Sequence, residues 1–283
     1  MKTLGILGPK GTHSEEAALW LKKTLHEDYQ LQICADIFEV LTAVKEKKLD
    51  AGLVPVENSL EGSINITLAT LARSDTLTIS RELVWKVKNF LMTKPLVDAR
   101  EIKKIFSHAQ PLAQCRNYLC KNFPDAEIVA TTSTARAAEL VAAADDNFAA
   151  ICTERAGKLH ALTIAAKDIQ DNPNNFTRFF EIRYKPRDAA PVEKFDGDKV
   201  LIICQIDGSR AGSLCEVLEE FAQRGVNMTR IESRPARTIL GAYIFFFDLE
   251  TDAGDAALNE SIRAVYDKSI WLKNLGVFPV IHA

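Results

Sequence analysis

The sequence predicts an α/β protein in two parts, and three observations predict it. From Thr3 to Leu162, short apolar segments alternate with segments of helical period, as in a parallel or mixed sheet with helices on both faces. A polar stretch with two prolines and a glycine, Pro186 to Asp198, reads as a linker. Residues 199–283 then carry an order of their own, strand-helix-strand-strand-helix-strand, the split ferredoxin-like βαββαβ unit. A length of 283 residues suits about two domains.

Thr3 to Leu7 reads as a buried strand and Gly8-Pro9-Lys10-Gly11 as a turn. Thr12-His13-Ser14-Glu15 matches a capping box, with Thr12 as N-cap and Glu15 three residues on, and the helix runs through Ala17, Leu21 and Leu25. Such a junction offers helix N–H groups to an anion. A plain strand-to-helix connection has the same pattern, and the Gly-Lys-Ser/Thr end of a nucleotide P-loop is missing. Ile37 to Lys47 reads as helix, and Ala51 to Val56 as a short buried strand ending in Glu57-Asn58-Ser59. Lys104 to Gln110 is a second strand-end cluster, holding Ser107 and His108, and a helix from Pro111 carries Gln114 in its first turn. Ile128 to Thr134 leads into an Ala-rich helix, and strand Phe148 to Thr153 into a helix from Glu154 to Leu162.

Open α/β sheets place ligands at strand ends. Here those ends carry Ser, Thr, Asn or Gln, and no acidic pair converges with a His. That is the vocabulary of a site that binds an anion through neutral donors. Asn172-Pro173-Asn174-Asn175 is a turn, and Arg178 to Tyr184 alternates as a strand. Thr177 sits at the junction, where a scaffold holds a small hydroxyl rigidly. Arg178 can fork-bond a carboxylate or form a structural salt bridge. Glu57 and His108 are titratable neighbours of these ends.

In the C-terminal part, Val200 to Ile206 is a strand and Ser213 to Arg224 a helix with Leu214, Val217, Leu218 and Phe221 on one face. Val226 to Arg234 and Ala242 to Leu249 are strands, Ala256 to Tyr266 a helix and Gly276 to His282 a short strand. One sheet face and the strand edges of so small a unit invite pairing with a second copy, through Val200–Ile206 and Ala242–Leu249.

A net charge of −3 without a basic block argues against nucleic acid as a partner. No apolar run approaches a membrane span. The six cysteines are scattered, with no Cys-x-x-Cys pair, and read as buried free thiols in a reducing cytoplasm. No metal or cofactor constellation appears.

Several of these stretches, in order, resemble the motifs of prephenate dehydratases: Gly8 to Ala17, Val56-Glu57-Asn58-Ser59, Ser107 to Gln114, and Asn174-Asn175-Phe176-Thr177-Arg178-Phe179. The family usually has Phe or Tyr where this chain has His13. Gly212-Ser213-Leu214 and Glu232-Ser233-Arg234-Pro235 resemble the two amino-acid-binding motifs of the ACT domain attached to that family. The resemblance implies a catalytic region over 1–185 of two α/β lobes, similar to type II periplasmic solute-binding proteins. It implies a linker over 186–198, an ACT regulatory domain over 199–283, and the monofunctional form of the enzyme.

The implied reaction turns prephenate into phenylpyruvate, CO2 and water. The implied catalytic positions are Thr177, as donor to the leaving hydroxyl, with Asn58, Ser107 and Gln114 positioning the substrate. Arg178, Phe179, Ser59, Thr12 and Ser14 fall in the implied substrate site. L-Phenylalanine is the implied effector, at Gly212, Ser213, Leu214, Asn227, Glu232 and Ser233 between neighbouring tails of a homodimer or homotetramer. Two rivals stay open: an arogenate dehydratase on the same scaffold, and a non-catalytic cytosolic amino-acid sensor.

Overall fold

The computed structural model describes residues 1–189, 194, 196–238, 241–252 and 254–283. Within the linker expected at 186–198, residues 190–193 and 195 lie outside the described residues. The elements, numbered in chain order, begin with β1 Lys2–Leu7, α1 His13–Thr24, β2 Tyr29–Cys34, α2 Ile37–Lys45, β3 Ala51–Asn58, β4 Gly62–Ser63 and α3 Asn65–Arg73. Then come β5 Leu77–Lys86, β6 Phe90–Thr93, β7 Lys104–His108, α4 Ala109–Gln114, α5 Arg116–Asn122, β8 Glu127–Thr131 and α6 Thr134–Ala143. They continue with β9 Phe148–Cys152, α7 Glu154–Leu159, β10 Thr163–Ala166 and β11 Phe176–Tyr184. The last are β12 Lys199–Ile206, α8 Ser213–Ala222, β13 Met228–Pro235, β14 Tyr243–Glu250, α9 Asp255–Asp267, β15 Ser269–Phe278 and β16 Val280–His282. No helix among the described residues is long and apolar enough to cross a membrane.

The chain divides into two compact units. The first holds residues 1–67, 84–179 and 283. In it β1 runs parallel to β2 on one side and β3 on the other, with β11 beyond β3. A second sheet has the order β10-β6-β9-β7-β8, with β7 parallel to β8 and β9, and β6 antiparallel to β9 and β10. Helices cover both faces of this sheet. Ala137, Ala138 and Val141 of α6 pack with Ala150 and Cys152, while Cys115 and Leu119 pack with Ile105, Ala149 and Ile151 on the other side. Alternate residues of β9 thus meet different helices, as strand geometry requires.

Several expected boundaries move by one or two residues or more. The helix expected to end at Lys47 stops at Lys45, and Lys47 has a positive φ of 59°. The helix expected through Leu162 stops at Leu159, and Ala161 takes a φ of 55°. The helix expected from Pro111 begins at Ala109, so Gln114 is its last residue. Pro111 then sits third in the helix. The N–H it lacks is one of the four that a helix start leaves unpaired anyway. Cys120 and Cys215 are exposed rather than buried, and all six thiols are free.

The second unit holds residues 68–83 and 180–282. Its four-stranded sheet has the order β13-β14-β12-β15, antiparallel throughout, and β16, β5 and β11 are neighbours in that order. α8 and α9 cover one face through Val217, Phe221, Leu258 and Val265, packed on Val200, Ile202, Cys204, Phe247 and Leu249. The closing strand of the βαββαβ unit is β15, not Gly276–His282. Pro279, which has no N–H to give a ladder, separates it from β16, and β16 pairs with β5 instead.

The other face of that sheet is not open to a second copy. Leu201, Ile203 and Phe246 point away from α8 and α9 and are each 0% exposed within the single chain. Residues 68–83 and 180–182 are tied to this sheet. Lys273 Nζ donates to the carbonyls of Leu71, at 2.7 Å, and Ser74, Thr78 Oγ1 donates to Leu275 O at 2.6 Å, and Phe180 meets Phe278 at 5.6 Å between ring centroids. Buried carboxylates lie there with cations: Glu82 is 3.8 Å from Lys199, and Glu181 is 3.3 Å from Arg81 and 2.7 Å from Arg183. The apolar runs expected to pair two copies are therefore the core of one copy. The two edges of the sheet are β13 and β15, where Ile231 is 45% and Ile270 63% exposed.

Candidate active site

A hydrogen-bonded group of four side chains forms in the first unit where β3, α4 and the start of β11 meet. Asn58 ends β3, and its Oδ1 accepts from the N–H groups of Leu60 and Glu61 at 3.0 and 3.1 Å. That local turn fixes the amide, so its Nδ2 faces Asn175 Oδ1 at 2.8 Å, Phe176 O at 3.1 Å and Thr177 Oγ1 at 3.0 Å. Asn175 Nδ2 in turn donates to Gln114 Oε1 at 3.0 Å. The group therefore runs Gln114–Asn175–Asn58–Thr177.

Its two ends carry unused donors. Thr177 Oγ1 accepts from Asn58, and its own hydrogen has no acceptor among the described residues. Gln114 Nε2 is buried without a partner among them. An unpaired buried donor costs about 1–3 kcal/mol, so the Gln114 end favours a ligand that brings an acceptor, and the half-buried Thr177 hydroxyl is open to the same ligand. Asn175 is the residue the site expectation lacked. It stood in the motif as half of an Asn-Asn turn, and its partners lie 61 and 117 residues away.

The loop before β11 is fastened from several sides. Ser59 Oγ donates to Asn174 O at 3.0 Å and accepts from Phe176 N at 2.9 Å. Asp171 N donates to Gln114 O at 2.7 Å, and the Asp171 carboxylate accepts from the N–H groups of Asn117 and Tyr118, at 3.0 and 3.3 Å. Thr177 is consequently the second residue of β11, on a rigid base.

Other expected site residues are engaged elsewhere. Ser59 has its hydroxyl spent on the loop. Ser107 is fully buried and donates to Ile151 O at 2.6 Å, a bond within the second sheet, so the structure does not join it to the four. Phe179 is 1% exposed, the first of four consecutive buried residues of β11, Phe179 to Ile182, so this part of the strand is covered on both faces instead of alternating as expected. Arg178 forms the ion pair that was one of its two readings, Nη1 to Glu57 Oε2 at 2.8 Å. His108 caps α4, its Nδ1 accepting from Gln110 N at 3.4 Å.

The junction before α1 is a joint rather than an open anion site. Thr12 Oγ1 donates to Leu7 O at 3.3 Å and accepts from Glu15 N at 3.4 Å. The Glu15 carboxylate bonds Gly11 N at 2.5 Å, not the N–H of Thr12 as a capping box would. Thr153, the N-cap of α7, donates to Gly11 O at 2.7 Å. Gly11 has a φ of 85°, and a Cβ there would stand 2.9 Å from that of Ala156, so only glycine permits this approach. Ser14 is buried at the same joint.

His13 lies there too, with both ring nitrogens buried and without hydrogen-bond partners among the described residues; Glu16 Oε2 is 3.8 Å from Nδ1. Burial lowers its pKa to about 4. It is neutral at pH 7 and packs as a ring, the part an aromatic residue would play. Between about pH 6.5 and 4 the unfolded chain binds a proton that the folded chain does not, so stability falls as pH falls. The contribution is at most about 3 kcal/mol, and His13→Phe is expected to remove it. Denaturant titrations of both proteins near pH 7 and near pH 5 measure this, and parallel losses in the two would clear His13.

In the second unit, Gly212 is the N-cap of α8 with a φ of 86° and no side-chain cap, and nothing stands within 4 Å of where a Cβ would be. The backbone N–H groups at Ser213 and Leu214 are therefore not covered by a capping side chain, whereas the Ser213 hydroxyl is used, donating to Arg210 O at 2.9 Å. Glu232 and Ser233 lie inside β13. Glu232 pairs with Arg230 and, at 2.5 Å, with Arg234, while Asn227 Nδ2 donates to Glu250 Oε2 at 2.6 Å. Ser233 is exposed. No group of three or more metal-ligating side chains occurs among the described residues.

Comparison with known proteins places these features in a family. The family model Prephenate dehydratase matches residues 4–187 and the ACT domain model residues 201–265. The prephenate dehydratase of Methanocaldococcus jannaschii is 35% identical over 273 residues, 96% of each chain. The bifunctional chorismate mutase/prephenate dehydratase of Neisseria gonorrhoeae is 34% identical over 98% of this chain and 74% of its own. The crystal structure of prephenate dehydratase from Arthrobacter aurescens in complex with L-Phe superposes with a TM-score of 0.86 at 33% identity, covering 98% of this chain and 90% of that one.

Proposed function

The chain belongs to the prephenate dehydratase family, and on that premise we propose that Thr177, held by Asn58, is the group that helps the ring hydroxyl of prephenate to leave. The reaction converts prephenate to phenylpyruvate, CO2 and water. The electron pair of the broken C–CO2 bond enters the ring, the C–O bond to the hydroxyl breaks, and one proton is taken up as hydroxide leaves as water. Aromatisation makes this downhill, so the protein has to hold the substrate, exclude water and assist the departing oxygen.

The observation that carries the assignment is the bond from Asn58 Nδ2 to Thr177 Oγ1 at 3.0 Å. It occupies a lone pair of the hydroxyl and points the O–H hydrogen away from Asn58. A threonine is too weak an acid to be the final proton source, so its role is donation or relay. Gln114 Nε2, unpaired and buried, supplies a second donor from the same network. Arg178, its charge shared with Glu57, lends positive potential next to Thr177. Ser107 supports the site through the second sheet. Incubation with prephenate, read as phenylpyruvate absorbance in alkali, tests the reading. Turnover of arogenate instead, or of neither, would assign the chain to one of the two rivals.

We divide the chain into a catalytic region over 1–185, a linker over 186–198 and a regulatory domain over 199–283. L-Phenylalanine is its effector, its carboxylate on the N–H groups at the start of α8. The chain works as a homodimer or homotetramer through edge β13, in the cytoplasm, where its six free thiols stay reduced. Valine at Gly212 forces a β-branched residue to a φ of 86°, so Gly212→Val is expected to weaken L-phenylalanine binding at least about tenfold by calorimetry on the full chain. In the unsubstituted chain L-phenylalanine is expected to shift prephenate affinity roughly 5- to 150-fold. Undiminished binding by the valine variant would move the effector away from α8.

A further inference from the structure

A cavity of about 630 Å3 lies in the first unit between α1, α7 and the segment that joins β5 to β6. It shares no lining residue with the Gln114–Asn175–Asn58–Thr177 group. Its size falls within the range of small-molecule pockets, about 300–1,000 Å3. Trp20 and Trp85 form an aromatic corner, 6.3 Å between ring centroids at 68°, with Phe90 beside them.

The polar atoms around this corner are unevenly matched. Trp85 Nε1 and Arg155 Nε are buried without a hydrogen-bond partner among the described residues. Lys86 and Lys88 make no ion pair or hydrogen bond among them. The acids of the lining are already engaged: Glu154 with Lys158 at 2.6 Å, and Glu16 with the Arg155 N–H at 2.8 Å. Ala283, the last residue, lines the cavity as well, and Arg155 is ion-paired with Glu15 at 3.3 Å; among the lining side chains every unmatched polar atom is a donor or a cation, and the apolar wall is planar and aromatic. An indole N–H buried in this way usually has a partner.

We infer that this cavity is a second small-molecule site, for a monocarboxylate bearing one aromatic ring. The ring lies in the Trp20–Trp85 corner, the Trp85 and Arg155 N–H groups donate to the carboxylate, and Lys86 and Lys88 supply the compensating charge. An aromatic 2-oxo acid and an aromatic amino acid share this chemistry. The inference does not depend on the assignment of Thr177 or of the effector, so each stands or fails separately.

Calorimetric titration of the full chain with 3-phenylpropionate and with 2-phenylethylamine tests it. The acid is expected to bind and the amine not. In the double variant Lys86→Ala/Lys88→Ala, substituted at half-buried and exposed positions, affinity for the acid is expected to fall at least about tenfold, with kcat and KM for prephenate unchanged within about twofold. Trp85→Phe, which keeps a ring and removes the N–H, is expected to weaken the acid as well. No binding of the acid up to about 10 mM, equal binding of the amine, or full affinity in the double variant would each overturn the site.

Discussion

Thr177→Ala is expected to lower kcat for prephenate by about 10²-fold or more while KM changes only a few-fold. The hydroxyl is half-buried, accepts one hydrogen bond from Asn58 at 3.0 Å and donates to no described residue, so its removal breaks a single bond within the fold. What it removes from the reaction is larger, because a donor aimed at a leaving oxygen acts mainly in the transition state. Thr177→Ser keeps the hydroxyl but frees its rotation, and is expected to retain more activity. Asn58→Ala leaves the hydroxyl but takes away the bond that directs it, and is expected to lie between the two. Single-turnover rates with matched denaturation curves decide this. An alanine variant within about twofold of the unsubstituted enzyme would remove Thr177 from the mechanism.

Ending the chain at Lys185 is expected to abolish stable folding, not merely regulation. Phe180 would lose Phe278, and Leu71, Ile79 and Ile182, all buried now, would stand in a unit stripped of its four-stranded sheet. Each such side chain exposed costs about 1.5–3 kcal/mol, and a handful equals the whole net stability of a domain, about 5–15 kcal/mol. Glu82 would also be parted from Lys199. Size-exclusion chromatography and urea unfolding of the shortened chain test this, and a soluble monomer with a cooperative transition and full turnover would refute it. For the same reason, deleting the tail is a poor way to locate the effector site, and Gly212→Val on the full chain is the better one.

The alternation of strands and helices was legible in the sequence because it is local: apolar periods, prolines and cap residues act within a few positions. So were Asn58 and Thr177 as polar residues at strand ends. Their meeting was not, since it spans 119 residues and depends on β3 and β11 being neighbours. Glu15 illustrates the limit from the other side. Its spacing from Thr12 satisfied the capping rule, yet its carboxylate turns to Gly11 N, where the approach of α7 leaves a backbone donor to be met. The apolar strands Val200–Ile206 and Ala242–Leu249 were read as a dimer face because sequence shows that a strand is apolar but not what covers it. Segments of the chain itself do so, from 68–83 and 180–182, more than a hundred residues away in the first case.

The bond from Lys273 to the carbonyl of Leu71 joins residues 202 apart. Proteins are made from the N-terminus, so on the ribosome the end of α3 waits for its cation until 202 further residues have been added. At about 5–20 residues per second the delay is roughly 10–40 s. For that interval the nascent chain carries Leu68 and Leu71 without the sheet that later lies over that helix. The second unit thus closes only after Lys273 has been made, and until then its apolar segments are surface that a holding chaperone would recognise.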